Sequence, residues 1–136
     1  MDVVLFACVH NAGRSQLAAA WFDHLADPAK ARAVSAGTQP AASVHPEVAR
    51  VLAEEELASR IEKPRLLTPE LAARATLLVT MGCGETCPAV PGLEREDWAI
   101  GDPKGLPHAQ VHAISREIRG RVEELVRRKA WHRTEP

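Results

Sequence analysis

Cys8 and Arg14 stand with five residues between them in Cys8-Val9-His10-Asn11-Ala12-Gly13-Arg14-Ser15, a stretch rich in groups that handle anions. An apolar run, Val3–Ala7, precedes it and a helix-like run, Gln16–Phe22, follows. A loop that enters a helix leaves several backbone N–H groups without intrahelical acceptors. With the helix dipole behind them, those donors form a cup for a tetrahedral oxyanion. The loop residues Val9, His10, Asn11, Ala12 and Gly13 are the expected oxyanion binders, with Gly13 letting the backbone curl at little steric cost. Arg14 closes the ring with a planar fork onto two oxygens. Cys8 at the floor of an electropositive cup is favoured as the thiolate nucleophile, and the Ser15 hydroxyl can donate to its sulfur. His10 is expected to shape the loop rather than act as a base, and Asn11 to bridge loop carbonyls and amides.

Two further constellations bear on that cup. Asp102, in Gly101-Asp102-Pro103, is a candidate general acid that protonates a departing oxygen, and Pro103 restricts its backbone. Cys83 and Cys87, in Gly82-Cys83-Gly84-Glu85-Thr86-Cys87-Pro88, suit a thiol relay, with the flanking glycines giving that loop mobility. A relay needs an attacking thiolate that reaches an oxidised or modified cysteine. Zinc competes for the same residues, since Cys83-x3-Cys87 and His108-x3-His112 resemble a Cys2His2 set. The 20 intervening residues exceed the usual spacing, so no metal is expected.

These residues need a scaffold that brings them to one edge. Val3–Ala7 reads as a buried parallel strand, Gln16–Ala26 as a helix ended by Asp27-Pro28, and Arg32–Thr38 as a second strand. Pro46 opens a helix with Val48, Val51, Leu52 and Leu57 inward and Glu54-Glu55-Glu56 solvated. Thr68 caps a short helix, Glu70–Ala73. Ala75–Met81 is the next strand and Asp97–Ile100 a weaker one. The helix Pro107–Lys129 presents Val111, Ile114, Ile118, Val122 and Leu125 at i, i+3, i+4 spacing, its arginines forming a solvated face. The tail 130–136 is expected to fray. Strands alternating with helices imply a three-layer α/β domain over 1–136, with a four-stranded parallel sheet covered by helices on both faces. Ligands bind such sheets at the carboxyl ends of strands, where Cys8, Cys83 and Asp102 all emerge.

Composition narrows the functions. Seventeen Lys plus Arg against eighteen Asp plus Glu, a net charge of −1, give no case for nucleic acid or an anionic membrane. No run approaches the ~18 apolar residues of a membrane span, and a cytoplasmic location is expected. Three cysteines then read as free, metal-bound or redox-active thiols rather than a disulfide framework.

Cys8-x5-Arg14-Ser15 after one strand, a Ser35-Ala36-Gly37-Thr38 strand end and Asp97-Trp98-x-x-x-Asp102-Pro103 together resemble the low-molecular-weight protein tyrosine phosphatase superfamily. The interior Val9-His10-Asn11-Ala12-Gly13, followed by Gln16, is more similar to its arsenate reductase branch. The resemblance implies a phosphotyrosine phosphatase I-like fold and an arsenate reductase with no tightly bound cofactor. Phosphate and sulfate would be competing oxyanions. It also implies a thiol co-substrate: thioredoxin resetting an internal cysteine, or mycothiol with a glutaredoxin-like mycoredoxin. The Cys83-x3-Cys87 form looks more like mycothiol-dependent members, and Ala19 falls where some thioredoxin-coupled members carry an acidic potassium ligand. The alternatives are a phosphomonoesterase acting on phosphotyrosine and a non-catalytic arsenic-sensing module. Against the phosphatase stands the absence of tyrosine, with Lys104-Gly105 following the Asp-Pro pair where phosphatase relatives commonly have Tyr. The sensing module leaves Cys8 and Asp102 without a task.

Overall fold

The structure, a computed structural model, describes residues 1–82 and 90–133. Four parallel strands form one sheet in the order β2-β1-β3-β4: β1 Asp2–Cys8, β2 Ala31–Gly37, β3 Leu77–Thr80 and β4 Glu94–Asp97. Alternation along β1 divides the core. Val4, Phe6 and Cys8 face a cluster shared with helices α1 (Arg14–Leu25), α2 (Pro46–Glu54) and α4 (His108–Arg128), while Leu5 and Ala7 face a smaller cluster containing Ala72 of α3 (Pro69–Ala73). The expected parallel sheet with helices on both faces is therefore present. The chain runs from β1 to β2 on one side and places β3 and β4 on the other, so the carboxyl end of β1 is the switch point of the sheet.

α1 starts two residues before its expected beginning, at Arg14, and all residues from Arg14 to Phe22 are buried. The helix is wedged between the sheet and α4, which explains why its apolar stripe broadens to Ala18, Ala19 and Ala20. Thr68 caps α3 as its sequence implies, its hydroxyl accepting from Leu71 N–H at 3.1 Å.

Four expectations are corrected. The fourth strand is Glu94–Asp97 rather than Asp97–Ile100. Trp98 and Ile100 are apolar because they pack beneath the cup, Trp98 lying 5.8 Å from Phe6 between ring centroids. β4 itself is a charged edge, tied to α4 through Glu94–Lys129 and Glu96–Arg128. The Glu54-Glu55-Glu56 face is not wholly solvated: Glu54 and Glu56 are exposed, Glu54 meeting His108 at 3.0 Å, but Glu55 is largely buried and meets Arg116 of α4 at 2.9 Å. Nor is α4's cationic face simply solvated, because Arg119 lies 4.8 Å above the Trp21 ring. Lastly, residues 130–133 do not fray: Trp131 is 7% exposed, stacks edge-on against Phe22 and donates to Asp2 at 3.0 Å.

Candidate active site

The loop between β1 and α1 is held by its carbonyls. Cys8, Val9, His10 and Ala12 carbonyls accept from the backbone N–H groups of Thr38, Gln39, Ala41 and His45 at 2.8–3.2 Å. The Asn11 carbonyl accepts from Gln16 Nε2 at 3.0 Å, and the Gly13 carbonyl from Leu17 N–H at 3.0 Å. Six consecutive carbonyls thus point outward. In a trans peptide the N–H points opposite to the C=O, so the N–H groups of residues 9–14 are turned toward the hollow of the loop. Among the described residues none of those six N–H groups has a protein acceptor. That is the cup expected for an oxyanion, built by restraint from outside.

Asn11 is the pivot of this arrangement. It is fully buried with φ of 49°, a left-handed conformation that Asn tolerates better than most residues. Its Oδ1 accepts from Arg65 N–H at 3.0 Å, which fixes Nδ2 as the donor to Ser15 Oγ at 2.7 Å. With that lone pair filled, the Ser15 hydrogen is left for Cys8 Sγ, 2.9 Å away. The hydroxyl therefore supplies the donor a thiolate needs, beside the start of α1. Cys8 is a free, buried cysteine.

Gly13 leaves room on the outer side of the loop as well as letting it curl. Its φ is −137°, so positive φ is not the reason for glycine. A Cβ there would lie 2.8 Å from Pro103 Cγ, so glycine leaves room for the Asp102-Pro103 turn to close onto the cup. Gly37 is equally constrained, since its Cβ would sit 2.5 Å from the Val9 carbonyl oxygen.

Arg14, 9% exposed, donates to the Ile100 carbonyl at 3.1 Å, and its other terminal nitrogen lies 3.9 Å from Asp102 Oδ2. The exposed Asp102 carboxyl also accepts from Lys104 N–H at 3.0 Å, a local turn that aims it. Gly82, at the end of β3 with φ of +85°, lies against the guanidinium: a Cβ would fall 2.3 Å from one Arg14 terminal nitrogen. It makes space for Arg14.

Of the sequence-predicted residues, the structure joins Cys8, Arg14, Ser15 and Asp102 with the loop Val9–Gly13. Cys83 and Cys87 lie outside the described residues. His10 shapes the loop, its Nδ1 lying 3.1 Å from the Gln39 carbonyl. Three contributors were not singled out as site residues by sequence reasoning. Gln16 latches the loop to Glu62 through Nε2–H···O=C at 2.8 Å and Oε1···H–N at 3.1 Å. Gly82 lies far along the chain, and His45 carried only the signal of preceding a helix-opening proline. His45 is half-buried; loss of water holds its pKa below 6.5 despite the pull of Asp102, with His10 and Lys104 adding to the lowering. His108 and His112 face Glu47, Glu54 and Glu55, and among the described residues no group of three or more His, Cys, Asp or Glu is arranged to hold a metal.

The family described as low molecular weight phosphotyrosine protein phosphatase matches residues 3–134. The chain belongs to that family. Within it, a putative arsenate reductase of Halobacterium salinarum is 33% identical over 126 residues, covering 88% of this chain and 87% of the relative. The thioredoxin-dependent arsenate reductase of Corynebacterium glutamicum superposes with a TM-score of 0.79 and 38% identity over 93% of this chain, which spans 61% of that protein. The arsenate reductase of Archaeoglobus fulgidus gives a TM-score of 0.75 and 32% identity, covering 90% of this chain and 98% of that one. The matched region contains the Cys8-x5-Arg14 loop, which begins at the end of the first strand.

Proposed function

We propose that this phosphatase-family protein is an arsenate reductase. The observation that carries the reading is the cup, with six inward N–H groups around a serine-supported sulfur, in a chain whose relatives include named arsenate reductases. Arsenate is a tetrahedral oxyanion of the charge and size that such a cup accepts. Cys8 thiolate attacks arsenic, while Arg14 and the loop amides stabilise the oxygens. Asp102 gives its proton to the departing oxygen, which leaves as water, and a Cys8–arsenic bond results. A second thiolate then attacks Cys8 Sγ. The sulfur–arsenic pair passes to arsenic, As(V) becomes As(III), and arsenite leaves as a disulfide forms. A dithiol such as thioredoxin, or two small thiols in succession, then reduces that disulfide through a mixed disulfide and is itself oxidised.

The second thiolate is Cys83 or Cys87 in an internal relay, or a small thiol such as mycothiol. Gly82, next in the chain to Cys83, borders Arg14, which supports an internal relay reset by thioredoxin. The thioredoxin dependence named for the Corynebacterium relative favours the same choice. The test supplies arsenate with thioredoxin, its reductase and NADPH, or separately with mycothiol, mycoredoxin and mycothiol reductase. Turnover with thioredoxin that is lost in Cys83→Ser or Cys87→Ser is expected. If both serine variants turn over fully with either system, the relay is wrong. Mass spectrometry of the trapped intermediate separates a Cys8–Cys83 bridge from a Cys8–mycothiol adduct.

A further inference from the structure

At the rim of the cup stands a residue that this sulfur chemistry does not use. His45 precedes α2, and its backbone N–H bonds the Ala12 carbonyl at 2.9 Å, which ties it to the cup. A Cβ on Gly13 would lie 3.4 Å from His45 Cδ2 and 2.8 Å from Pro103 Cγ, so the ring and the proline share the space above one loop residue. Asp102, immediately before that proline, is the strongest charge acting on the ring; His10 and Lys104 oppose it, and burial favours the neutral form. The His10 and His45 rings meet edge-on with centroids 6.4 Å apart. His45 forms no side-chain cap to α2, so its ring is not committed to the helix.

Interaction between two charges is reciprocal. Whatever the Asp102 carboxylate does to favour a charged His45, a charged His45 does to disfavour protonation of Asp102. We propose that His45 is a positioning residue that sets the pH window of the site: uncharged, it leaves Asp102 able to carry a proton; charged, it tightens oxyanion binding and withdraws that proton from use. The role deepens the proposed arsenate chemistry and rests on Asp102 as its proton donor.

Sulfate, a dianion from pH 5 to 8, isolates the binding arm. In Cys8→Ser protein, whose thiol no longer titrates, calorimetric sulfate affinity should rise on the order of three- to tenfold between pH 7.5 and 5.5. Adding His45→Gln or His45→Asn should remove most of that rise, and adding His24→Gln, in the exposed last turn of α1 away from the cup, should keep it. Two histidine variants guard against a misfolded one, and thermal melts identify it. In the turnover arm, His45→Lys, which fixes the charge, should lower both KM for arsenate and kcat at pH 7.5. Superimposable sulfate curves with and without His45, or a His45→Lys variant with unchanged kcat, would overturn the role. Loss of arsenate turnover in the wild type alongside a His45-dependent sulfate curve would instead sink the reductase reading and leave the charge coupling in place.

Discussion

Ser15 has one hydroxyl hydrogen, and Asn11 decides where it goes. Removing the hydroxyl takes a charge-assisted donor from the thiolate, an interaction of about 1.5–3 kcal/mol. Ser15→Ala should therefore slow alkylation of Cys8 at pH 7 roughly ten- to hundredfold, because each ~1.4 kcal/mol is a factor of ten. Timed labelling with iodoacetamide measures it, and an unchanged rate would mean that the 2.9 Å contact does not favour the thiolate. Gly82→Ala tests the other side of the cup. It places a Cβ into a positive-φ position 2.3 Å from an Arg14 nitrogen, adding roughly 1–2 kcal/mol of backbone strain and displacing the guanidinium. Sulfate affinity should fall by about tenfold or more in calorimetry. At this scale the sequence was readable where chemistry and spacing coincide, as in Cys8, Arg14, Ser15 and Asp102. It was unreadable where a residue acts through space it leaves empty: Gly13 yields to Pro103 and Gly82 yields to Arg14, and neither reason exists until distant segments meet.

Among the elements, β1 and β3 declared themselves because a central strand buried on both faces is a continuous apolar run. β4 did not, because an edge strand is stabilised by charges that look like a surface loop. Glu96 accepts both terminal nitrogens of Arg128 at 2.8 and 3.0 Å, and this bond is the main reason its carboxyl titrates below the ordinary 4.5. A folded-state value below the unfolded one gives stability that is complete above about pH 4.5 and is lost as pH falls through the lower folded value. Glu96→Gln should thus cost about 0.5–1 kcal/mol at pH 7, discounted for partial exposure, with a gap to wild type that narrows below pH 4.5. Urea titrations at both pH values check it; a gap that widens in acid would contradict the pairing. The closing segment misled for a related reason: polar residues surround one large anchor. Trp131→Ala should cost about 3–5 kcal/mol, seen as a fall in urea midpoint, whereas a fraying tail would tolerate it.

For the whole molecule, the sheet order places the Cys8 loop at the switch point, with the chain after β3 and the chain after β4 both arriving on the side away from β2. That placement brings Gly82, after β3, and Asp102, after β4, to the same Arg14 guanidinium. The same scaffold serves phosphoryl transfer and arsenate reduction, since both need a cradled tetrahedral anion, a thiolate and an acid; only the fate of the Cys8 adduct separates them. Hydrolysis by water returns the thiolate, whereas attack by a second sulfur reduces the bound atom. The absence of tyrosine and the presence of Cys83 and Cys87 favour the second fate. The deciding measurement follows one enzyme preparation in two reactions: arsenite formed from arsenate with the thioredoxin system, and hydrolysis of an aryl phosphate. Arsenite formation that disappears in Cys8→Ser, with aryl phosphate turned over far below ~10⁴ M⁻¹s⁻¹ in kcat/KM, is the predicted result. Aryl phosphate hydrolysis at or above that value without arsenite from either thiol system would contradict the account and make the protein a phosphatase.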